Sequence, residues 1–155
     1  MIPLDEVTVS SGWKKLSPSS NSIAEQFSTF LPAVWMAEAP DASIEFIFCG
    51  SAVGLYGVKG SDVGRLLVQI DDQEPFDTTF FYVSSNPYRH FLKPLILADD
   101  LPPGKHHVKI QIDSEPIDKV TMFAERNIDL DDTSVFEKQR TYIGDIIING
   151  DLVKE

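Results

Sequence analysis

The serines and histidines of the chain are the residues that could support nucleophilic hydrolysis. The nucleophile elbow G-x-S-x-G is absent, because residues 50–54 read Gly-Ser-Ala-Val-Gly and place the serine one position early. Residues 60–62 read Gly-Ser-Asp rather than Gly-Asp-Ser, and the Gly-Asp pair at 144–145 is followed by isoleucine. None of the three histidines has an aspartate three residues before it. The sequence therefore predicts no self-contained hydrolase site, and the chain taken alone is not expected to be an enzyme.

Two of the histidines, His106 and His107, are adjacent in the sequence. On a strand, adjacent side chains point to opposite faces, so these two cannot bind one metal ion together. His106 has the parity of Val108 and is predicted to lie at the edge of the core with its hydrogen bonds satisfied. His107 has the parity of Lys109 and is predicted to be exposed.

Phosphate and metal motifs are incomplete. The glycines at 57, 60 and 64 fit neither dinucleotide nor P-loop spacing, so we expect them to form turns. Asn127, Asp129 and Asp131 alternate like the first ligands of a calcium loop, but the required glycine and the distal glutamate are missing. The sequence predicts no cofactor and no metal site, and it leaves open calcium held by carbonyls and scattered aspartates from several loops.

Aromatic side chains are the remaining residues with binding chemistry. Aromatic rings can pack against the apolar faces of pyranose sugars while nearby polar groups bond the hydroxyls. Residues 84–90 are predicted to form a loop that presents Tyr88 together with Arg89 and His90, which makes them the first candidates for ligand binding. Tyr56 and Trp35 are the second candidates. The alternative for the same loop is packing against another domain.

Composition limits the classes of partner. The 155 residues include 24 acidic and 13 basic side chains, and the net charge of -11 opposes binding to nucleic acid or to anionic lipid. Cys49 is the one cysteine, so no internal disulfide can form. No apolar run approaches the roughly 20 residues of a membrane span. Residues 1–11 lack the pattern of a signal peptide, so the chain as written is expected to be uncleaved and cytoplasmic, and extracellular if it is an excised domain.

Alternation with period two predicts short strands along most of the chain. The clearest segments are 43–49, 65–71 and 105–113, in which one parity is apolar. The predicted core comprises their apolar residues, which are Phe46, Phe48, Leu66, Val68, Ile70, Val108, Ile110 and Ile112. Further strands are predicted at 33–37, 53–58, 79–83, 91–97, 120–124 and 142–153.

Turn and helix signals complete the predicted fold. Residues 101–104 read Leu-Pro-Pro-Gly and predict a turn, and Asn149-Gly150 is typical of a hairpin. Residues 22–31 have helical spacing with a capping box at Ser22 and Glu25, and the acidic stretch 128–138 is predicted to be a loop. We expect one all-β domain over 1–155, an antiparallel sandwich of eight to ten strands, with residues 1–12 as an N-terminal arm or edge strand.

The order of these segments resembles a known family. Residues 48–64 hold a strand ending in glycine, a short strand with aliphatic-Tyr-Gly and a glycine turn, and residues 66–71 hold a strand ending in aspartate. A Pro-Gly-Lys-His turn at 103–106 precedes a strand rich in valine and isoleucine, and residues 142–152 match a closing strand. Over roughly residues 43–153 the chain resembles the galactose-binding-like jelly rolls that precede the catalytic domain of SGNH-type carbohydrate esterases. It departs from their pattern at Asp71-Asp72, where Asp-Gly is common.

The resemblance implies a function. In such esterases the catalytic domain carries Gly-Asp-Ser and a late Asp-x-x-His, and both motifs are missing here. The expected function is therefore a noncatalytic domain that binds carbohydrate or orients substrate for a carbohydrate esterase or deacetylase. Its expected partners are an oligosaccharide or polysaccharide and a catalytic esterase domain. The alternative is a structural docking or oligomerisation module that binds no sugar, and a minimal esterase is the third reading.

Overall fold

In a computed structural model, which describes residues 1–154, the chain forms two antiparallel sheets packed face to face. The strands are β1 (Ile2–Pro3), β2 (Thr8–Val9), β3 (Lys14–Leu16), β4 (Val34–Ala37), β5 (Ser43–Gly50), β6 (Val53–Lys59), β7 (Arg65–Ile70), β8 (Phe76–Thr79), β9 (Phe91–Ala98), β10 (Gly104–Ile112), β11 (Thr141–Ile148) and β12 (Asp151–Val153). The helices are α1 (Ser22–Gln26) and α2 (Lys119–Glu125), with 3-10 turns at Leu4–Glu6 and Ser134–Phe136.

The strand order confirms the predicted all-β sandwich of jelly-roll type. The first sheet has the order β3-β4-β11-β6-β9, with β1 also paired to β11. The second sheet has the order β12-β5-β10-β7-β8, with β2 also paired to β5. The strands over residues 1–154 outnumber the predicted eight to ten because several, such as β1 and β2, are only two residues long.

The predicted core of the second sheet is confirmed in register. Phe46 of β5 lies opposite Val108 of β10, and Val108 lies opposite Ile70 of β7. Directly opposed residues share a face of the sheet, so the apolar parities of the three strands meet on one surface. All eight predicted core residues are buried. Burying aliphatic and phenyl side chains of this size is the main favourable contribution to the folding free energy.

The two sheets are joined by a corner, and the hairpin predicted at Asn149-Gly150 is wrong. These residues lead from β11 in the first sheet to β12 in the second. The Asn149 side chain accepts hydrogen bonds from the backbone N–H groups of Ser51 and Ala52, at 2.8 Å each, and so holds the neighbouring β5–β6 corner. A Cβ at Gly150 would lie 1.9 Å from the carbonyl oxygen of Cys49, so this close approach requires glycine.

The strand predicted at 79–83 is also wrong, because β8 covers Phe76–Thr79 and ends there. The Thr79 hydroxyl donates to the carbonyl oxygen of Gly64 at 2.6 Å and accepts from the N–H of Phe81 at 2.9 Å. These side-chain hydrogen bonds take the place of the hydrogen bonds to a neighbouring strand that the backbone would otherwise make. Phe80 and Phe81 are both buried, which a half-exposed strand would not allow.

The strand predicted at 120–124 is helix α2. The Asp118 carboxylate caps it by accepting from the N–H of Thr121 at 3.2 Å. Lys119 and Phe123, four residues apart, form its buried face. The β-branched residues Val120 and Thr121 favoured a strand by propensity, and the cap and packing of the helix outweigh that preference.

Helix α1 confirms the predicted helical segment in part. Its regular turns stop at Gln26, and the chain continues in tighter turns to Leu31. The predicted capping box at Ser22 and Glu25 is wrong. Asn21 is the N-cap, and its side-chain oxygen accepts from the N–H groups of Ile23 and Ala24 at 2.9 and 3.0 Å.

His106 occupies the predicted position at the edge of the core. Its Nδ1 lies 2.7 Å from a carboxylate oxygen of Asp71, and its Nε2 lies 2.7 Å from the carbonyl oxygen of Pro102. Both partners only accept, so both ring nitrogens carry a proton when both bonds form. The hydrogen bond to Asp71 is the main cause that raises the pKa of His106. Asp71 has φ 54°, and the bonds from His106 and from the N–H of His107 hold this left-handed turn.

We expect His106→Gln to destabilise the domain by about 1–2 kcal/mol near pH 5.5, because it removes a charge-assisted hydrogen bond to a partly exposed carboxylate. The folded pKa of His106 is raised above 6.5, so this contribution is complete below pH 6.5 and is lost as the pH rises through the raised value. Urea unfolding at pH 5.5 and pH 8.5 measures the difference in free energy of unfolding between wild type and His106→Gln, and this difference should be smaller at pH 8.5. His107→Gln is the control. A difference in free energy of unfolding between wild type and His106→Gln that stays constant or grows at pH 8.5 contradicts the prediction.

Candidate functional site

Three connections meet at one end of the sandwich, which we call the loop end. They are residues 60–64 between β6 and β7, residues 80–90 between β8 and β9, and residues 113–140 between β10 and β11. The candidate residues Tyr88, Arg89 and His90 lie in the second connection. The chemistry of the loop end depends on how these three connections are held together.

Asp62 is the polar centre of the loop end. One of its carboxylate oxygens lies 2.8 Å from Nε2 of His90, and the other accepts from the Tyr142 hydroxyl at 2.5 Å. Arg140 Nη1 lies 3.6 Å from the second oxygen, while Arg140 Nε donates to Glu38 at 2.9 Å. One largely buried carboxylate, with 13% of its side chain exposed, therefore joins the 60–64 connection, the 80–90 connection and the start of β11.

The electrostatics of this centre keep Asp62 ionised. Burial works to raise the pKa of Asp62, but hydrogen bonds from His90 and Tyr142 lower it, and the net shift is downward. Burial, together with the bond to the Asp62 carboxylate, raises the pKa of the Tyr142 hydroxyl. Within residues 1–154, none of the histidine rings forms a hydrogen bond to a serine, threonine or cysteine side chain. The arrangement fixes the geometry of the loops, with His90 Nε2 committed to Asp62.

Lys119 adds a second tie between the connections. Its buried ammonium donates to the carbonyl oxygens of Ser61 at 2.8 Å and Lys138 at 2.7 Å. Burial lowers its pKa to about 8, and the negative charge of Asp62 opposes that shift. Gly60 lies against the His90 ring so closely that a Cβ there would be 2.1 Å from Cδ2. Helix α2, the 60–64 connection and the His90 ring thus pack as one unit.

The three first-choice candidates occupy different environments within the loop end. The Tyr88 ring packs on Phe136, with centroids 5.5 Å apart, and its hydroxyl accepts from the N–H of Asp132 at 3.0 Å, yet 39% of the residue is exposed. Arg89 is exposed, with its guanidinium 5.3 Å from the centre of the Phe91 ring. His90 is anchored to Asp62. Tyr88 and Arg89 present surface to solvent, whereas His90 supports the loop from beneath.

The second-choice candidates lie on opposite faces of the first sheet. Trp35 pairs with Ile143, which pairs with Gly57 on its other side, so these three share the face on which a Cβ at Gly57 would meet Phe80. Tyr56 is adjacent to Gly57 and therefore faces the other way. The Lys15 ammonium lies 5.7 Å from the centre of the Trp35 ring. Trp35 and Tyr56 therefore cannot form one platform with each other.

A group of cations beside the loop was missed from the sequence. The ammonium groups of Lys59 and Lys93 lie 4.8 and 4.6 Å from the centre of the Tyr82 ring. Lys59 is completely buried and donates to the Ser84 hydroxyl at 3.0 Å. The sequence does contain a signal for the buried Lys59, because this residue has the same parity in β6 as the core residue Leu55. A lysine at a core position requires a polar or aromatic explanation.

Other features of the described residues lie apart from this loop. A groove of about 570 Å³ runs over the second sheet where β2 and β12 flank β5, and its lining includes Glu45, His107 and Leu152 but none of the sequence-predicted site residues. Over residues 1–154, no group of three or more His, Cys, Asp or Glu side chains is placed to hold a metal ion. In the same range no helix combines the length and the apolar composition needed to cross a membrane.

The fold is shared with solved structures that contain carbohydrate-active domains. A family two carbohydrate esterase from Cellvibrio japonicus superposes with a TM-score of 0.55 and 12% identity, covering 95% of this chain and 31% of that one. A two-domain esterase active on acetylated mannans gives 0.56 and 12%, covering 92% of this chain and 33% of that one. Paenibacillus xanthan lyase gives 0.53 and 9%, covering 99% of this chain and 13% of that one.

In sequence, no protein-family model and no curated protein matches the chain. The structural likeness agrees with the resemblance to esterase-associated jelly rolls seen in the sequence. The chain spans about one third of the length of the two esterases, and at this level of identity the likeness establishes the fold.

We expect Asp62→Asn to lower the free energy of unfolding by about 2–3 kcal/mol at pH 7. The reason is that a neutral amide has one acceptor oxygen and cannot replace both charged oxygens that bond His90 and Tyr142. The folded pKa of Asp62 is lowered from 3.8, so its contribution is complete above that pH and is lost as the pH falls through the lowered value. Urea unfolding across this range measures the effect. Asp129→Asn, at an exposed position, is the matched control. A loss at pH 7 no larger than the control's rejects Asp62 as the centre of the loop end.

Proposed function

We propose that this chain is a noncatalytic domain that binds carbohydrate or orients a carbohydrate substrate for an esterase domain. The observation that carries the proposal is the coverage of the structural likeness. Nearly all of this chain matches about a third of each of the two esterases, as expected for an accessory domain beside a larger catalytic one. The proposed function needs no cofactor.

The proposed contact surface is the exposed part of the 80–90 connection. Tyr88 and Arg89 stand at the surface on a loop that Asp62 and Phe136 hold from within. A preorganised loop loses little conformational entropy on binding, which suits a weak ligand. His90 has its Nε2 bonded to Asp62, so its proposed role is to present its neighbours and to offer Nδ1. Tyr56 and Trp35 remain second choices on separate faces of the first sheet.

Titration with mannopentaose, cellohexaose and their acetylated forms tests the proposed binding. We expect the amide resonances of residues 84–90 to shift, with a dissociation constant nearer millimolar than nanomolar, because one or two sugar rings bury little surface. Arg89→Ala should weaken the binding at least threefold, and Arg126→Ala, also an exposed arginine, should not. Tyr88→Ala tests the ring, with near-ultraviolet circular dichroism to verify that the contact region around Phe136 stays folded.

Shifts confined to another surface would reject this contact site while leaving sugar binding in place. An absence of shifts across the whole panel would reject carbohydrate binding and favour the second candidate, a docking module. The observation behind that second candidate is the exposed Val120 of α2, which is 40% exposed and lines a shallow groove together with Ile128 and Leu130.

We also expect no sustained turnover of an aryl acetate by this chain alone. Ser51, the serine nearest to an elbow motif, has its hydroxyl occupied as acceptor from the Asn149 amide at 2.8 Å. A spectrophotometric assay of aryl acetate hydrolysis measures this, with Ser51→Ala as the comparison. Multiple turnovers that disappear in Ser51→Ala would contradict the proposal, and slow release equal in both proteins agrees with it.

A further inference from the structure

Three cations gather at the loop end without an acidic partner. Lys59, Arg89 and Lys93 have no carboxylate within 4.0 Å among residues 1–154, although acidic residues outnumber basic ones by 24 to 13 in the whole chain. Other cations of the chain, such as Arg140, do pair with carboxylates. Other cations among residues 1–154, such as Lys105, also lack a carboxylate partner, but these three are grouped around shared aromatic rings in an otherwise acidic protein, and such a group suits an anionic partner from outside.

Two aromatic rings position the three charges. Lys59 lies opposite Phe91 in the ladder between β6 and β9, and its ammonium is 5.5 Å from the centre of that ring as well as 4.8 Å from that of Tyr82. Lys93 approaches Tyr82 to 4.6 Å, and Arg89 approaches Phe91 to 5.3 Å. Cation–π contacts of this length hold the charged groups in place without neutralising them.

Lys59 is the least compensated of the three. Its side chain is fully buried, and its one hydrogen bond in the structure goes to the neutral Ser84 hydroxyl. Burial lowers its pKa, and repulsion from Lys93 lowers it further. An anion placed beside Lys93 would replace part of the hydration that Lys59 has lost. Its attraction to both ammonium groups therefore stabilises the bound state.

We propose that Lys93 and Arg89, with the field of the buried Lys59 and the exposed edge of Tyr82, bind the carboxylate of an acidic sugar such as a uronic acid. The proposal rests on the carbohydrate-binding function proposed above and names its ligand class. Tyr82 is 41% exposed and supplies apolar surface and a hydroxyl group beside the two lysines. A carboxylated sugar ring offers an anion next to C–H and O–H groups, which is the combination that this surface matches.

The charge of the whole domain narrows the ligand further. A net charge of -11 repels an extended polyanion such as a nucleic acid, whereas a single carboxylate experiences mainly the local cluster. The ligand we infer therefore carries sparse carboxylates on a carbohydrate. Repulsion from the rest of the domain favours such a ligand over a densely charged polymer.

Binding of matched acidic and neutral oligosaccharides tests the proposal. Trigalacturonic acid and galactotriose are titrated into the labelled domain at low and at high salt, following the amide resonances of residues 82–93. We expect the acid to bind at least tenfold more tightly than the neutral sugar at low salt, and the preference to fall at high salt because the interaction is between charges near the surface. Lys93→Gln and Arg89→Gln should each reduce the preference at least threefold.

Lys105→Gln is the matched control, because it removes the same charge from an exposed position at the opposite end of the sandwich, and it should leave the preference unchanged. Lys59→Met tests the buried charge, and if that variant does not fold, the Lys93 and Arg89 variants decide the question. Triglutamate, an acidic peptide with no sugar ring, is the ligand control and should bind at least tenfold more weakly than trigalacturonic acid.

The outcomes separate this inference from the function on which it rests. Equal binding of galactotriose and trigalacturonic acid overturns the acidic-sugar site and leaves carbohydrate binding standing. Triglutamate binding as tightly as trigalacturonic acid overturns the requirement for a sugar. Binding of neither sugar, together with no shifts in the neutral panel above, overturns the proposed function and this inference with it. A preference that survives in both Lys93→Gln and Arg89→Gln overturns the site assignment.

Discussion

The largely buried Asp62 carboxylate is the interaction on which the loop end depends. It accepts from the Tyr142 hydroxyl on β11, bonds the His90 ring at the start of β9, and lies near the Arg140 guanidinium. These groups come from segments far apart in the sequence, and the carboxylate joins all of them at one point, whereas Lys119 ties only the 60–64 and 113–140 connections. Because the hydrogen bonds from His90 and Tyr142 lower its pKa despite burial, the carboxylate keeps its charge at neutral pH and both donors stay bonded. The carboxylate anchors His90, which directly follows the exposed Tyr88 and Arg89 in the chain.

Two buried lysines at the same end show two ways of accommodating a charge. Lys119 donates to the carbonyl oxygens of Ser61 and Lys138 and is favoured by the nearby charge of Asp62. Lys59 has one neutral hydroxyl and two aromatic rings, and the neighbouring Lys93 repels it. Lys119 therefore has the partners of a structural tie. Lys59 lacks them, which is why the surface above it, rather than the surface above Lys119, is the place where an anion gains most.

The sequence predicted the sandwich well where burial alternates and poorly where side chains replace backbone partners. Phe46, Val108 and Ile70 were placed correctly because a strand with one buried face leaves a period of two in the sequence. Residues 79–83, which read Thr-Phe-Phe-Tyr-Val, favour a strand by propensity, but the Thr79 hydroxyl takes the backbone out of the sheet, and no local pattern reports that bond. Helix α2 was misread because its cap at Asp118 and its contact through Phe123 outweigh the strand propensity of its residues.

Part of the candidate site could likewise be predicted from the sequence, and part could not. A loop that presents an exposed tyrosine and arginine at 88 and 89 could be predicted from polar and turn-forming residues alone. The partner of His90 could not, because Asp62 is 28 residues away and the pairing depends on how the sheets bring two connections together. The contact between Tyr82 and Lys93 could not be predicted for the same reason, because it joins the 80–90 connection to strand β9. Sequence periodicity reports which face a residue occupies, and it carries no information on which loops meet.

The low identity to the esterase-associated domains explains why their function cannot simply be transferred. At 12% identity with TM-scores of 0.55 and 0.56, what this chain shares with them is the arrangement of strands, which the apolar faces are sufficient to specify. The side chains that we propose for ligand binding, such as Arg89 in the 80–90 connection and Lys93 at the start of β9, are not required by the fold. The burial of Lys59 at a core position of β6 is costly for stability and is unnecessary for packing, since an apolar residue would fill the same space. A cost of that kind at the edge of an exposed cationic surface agrees with the anion-binding site that we propose around Tyr82.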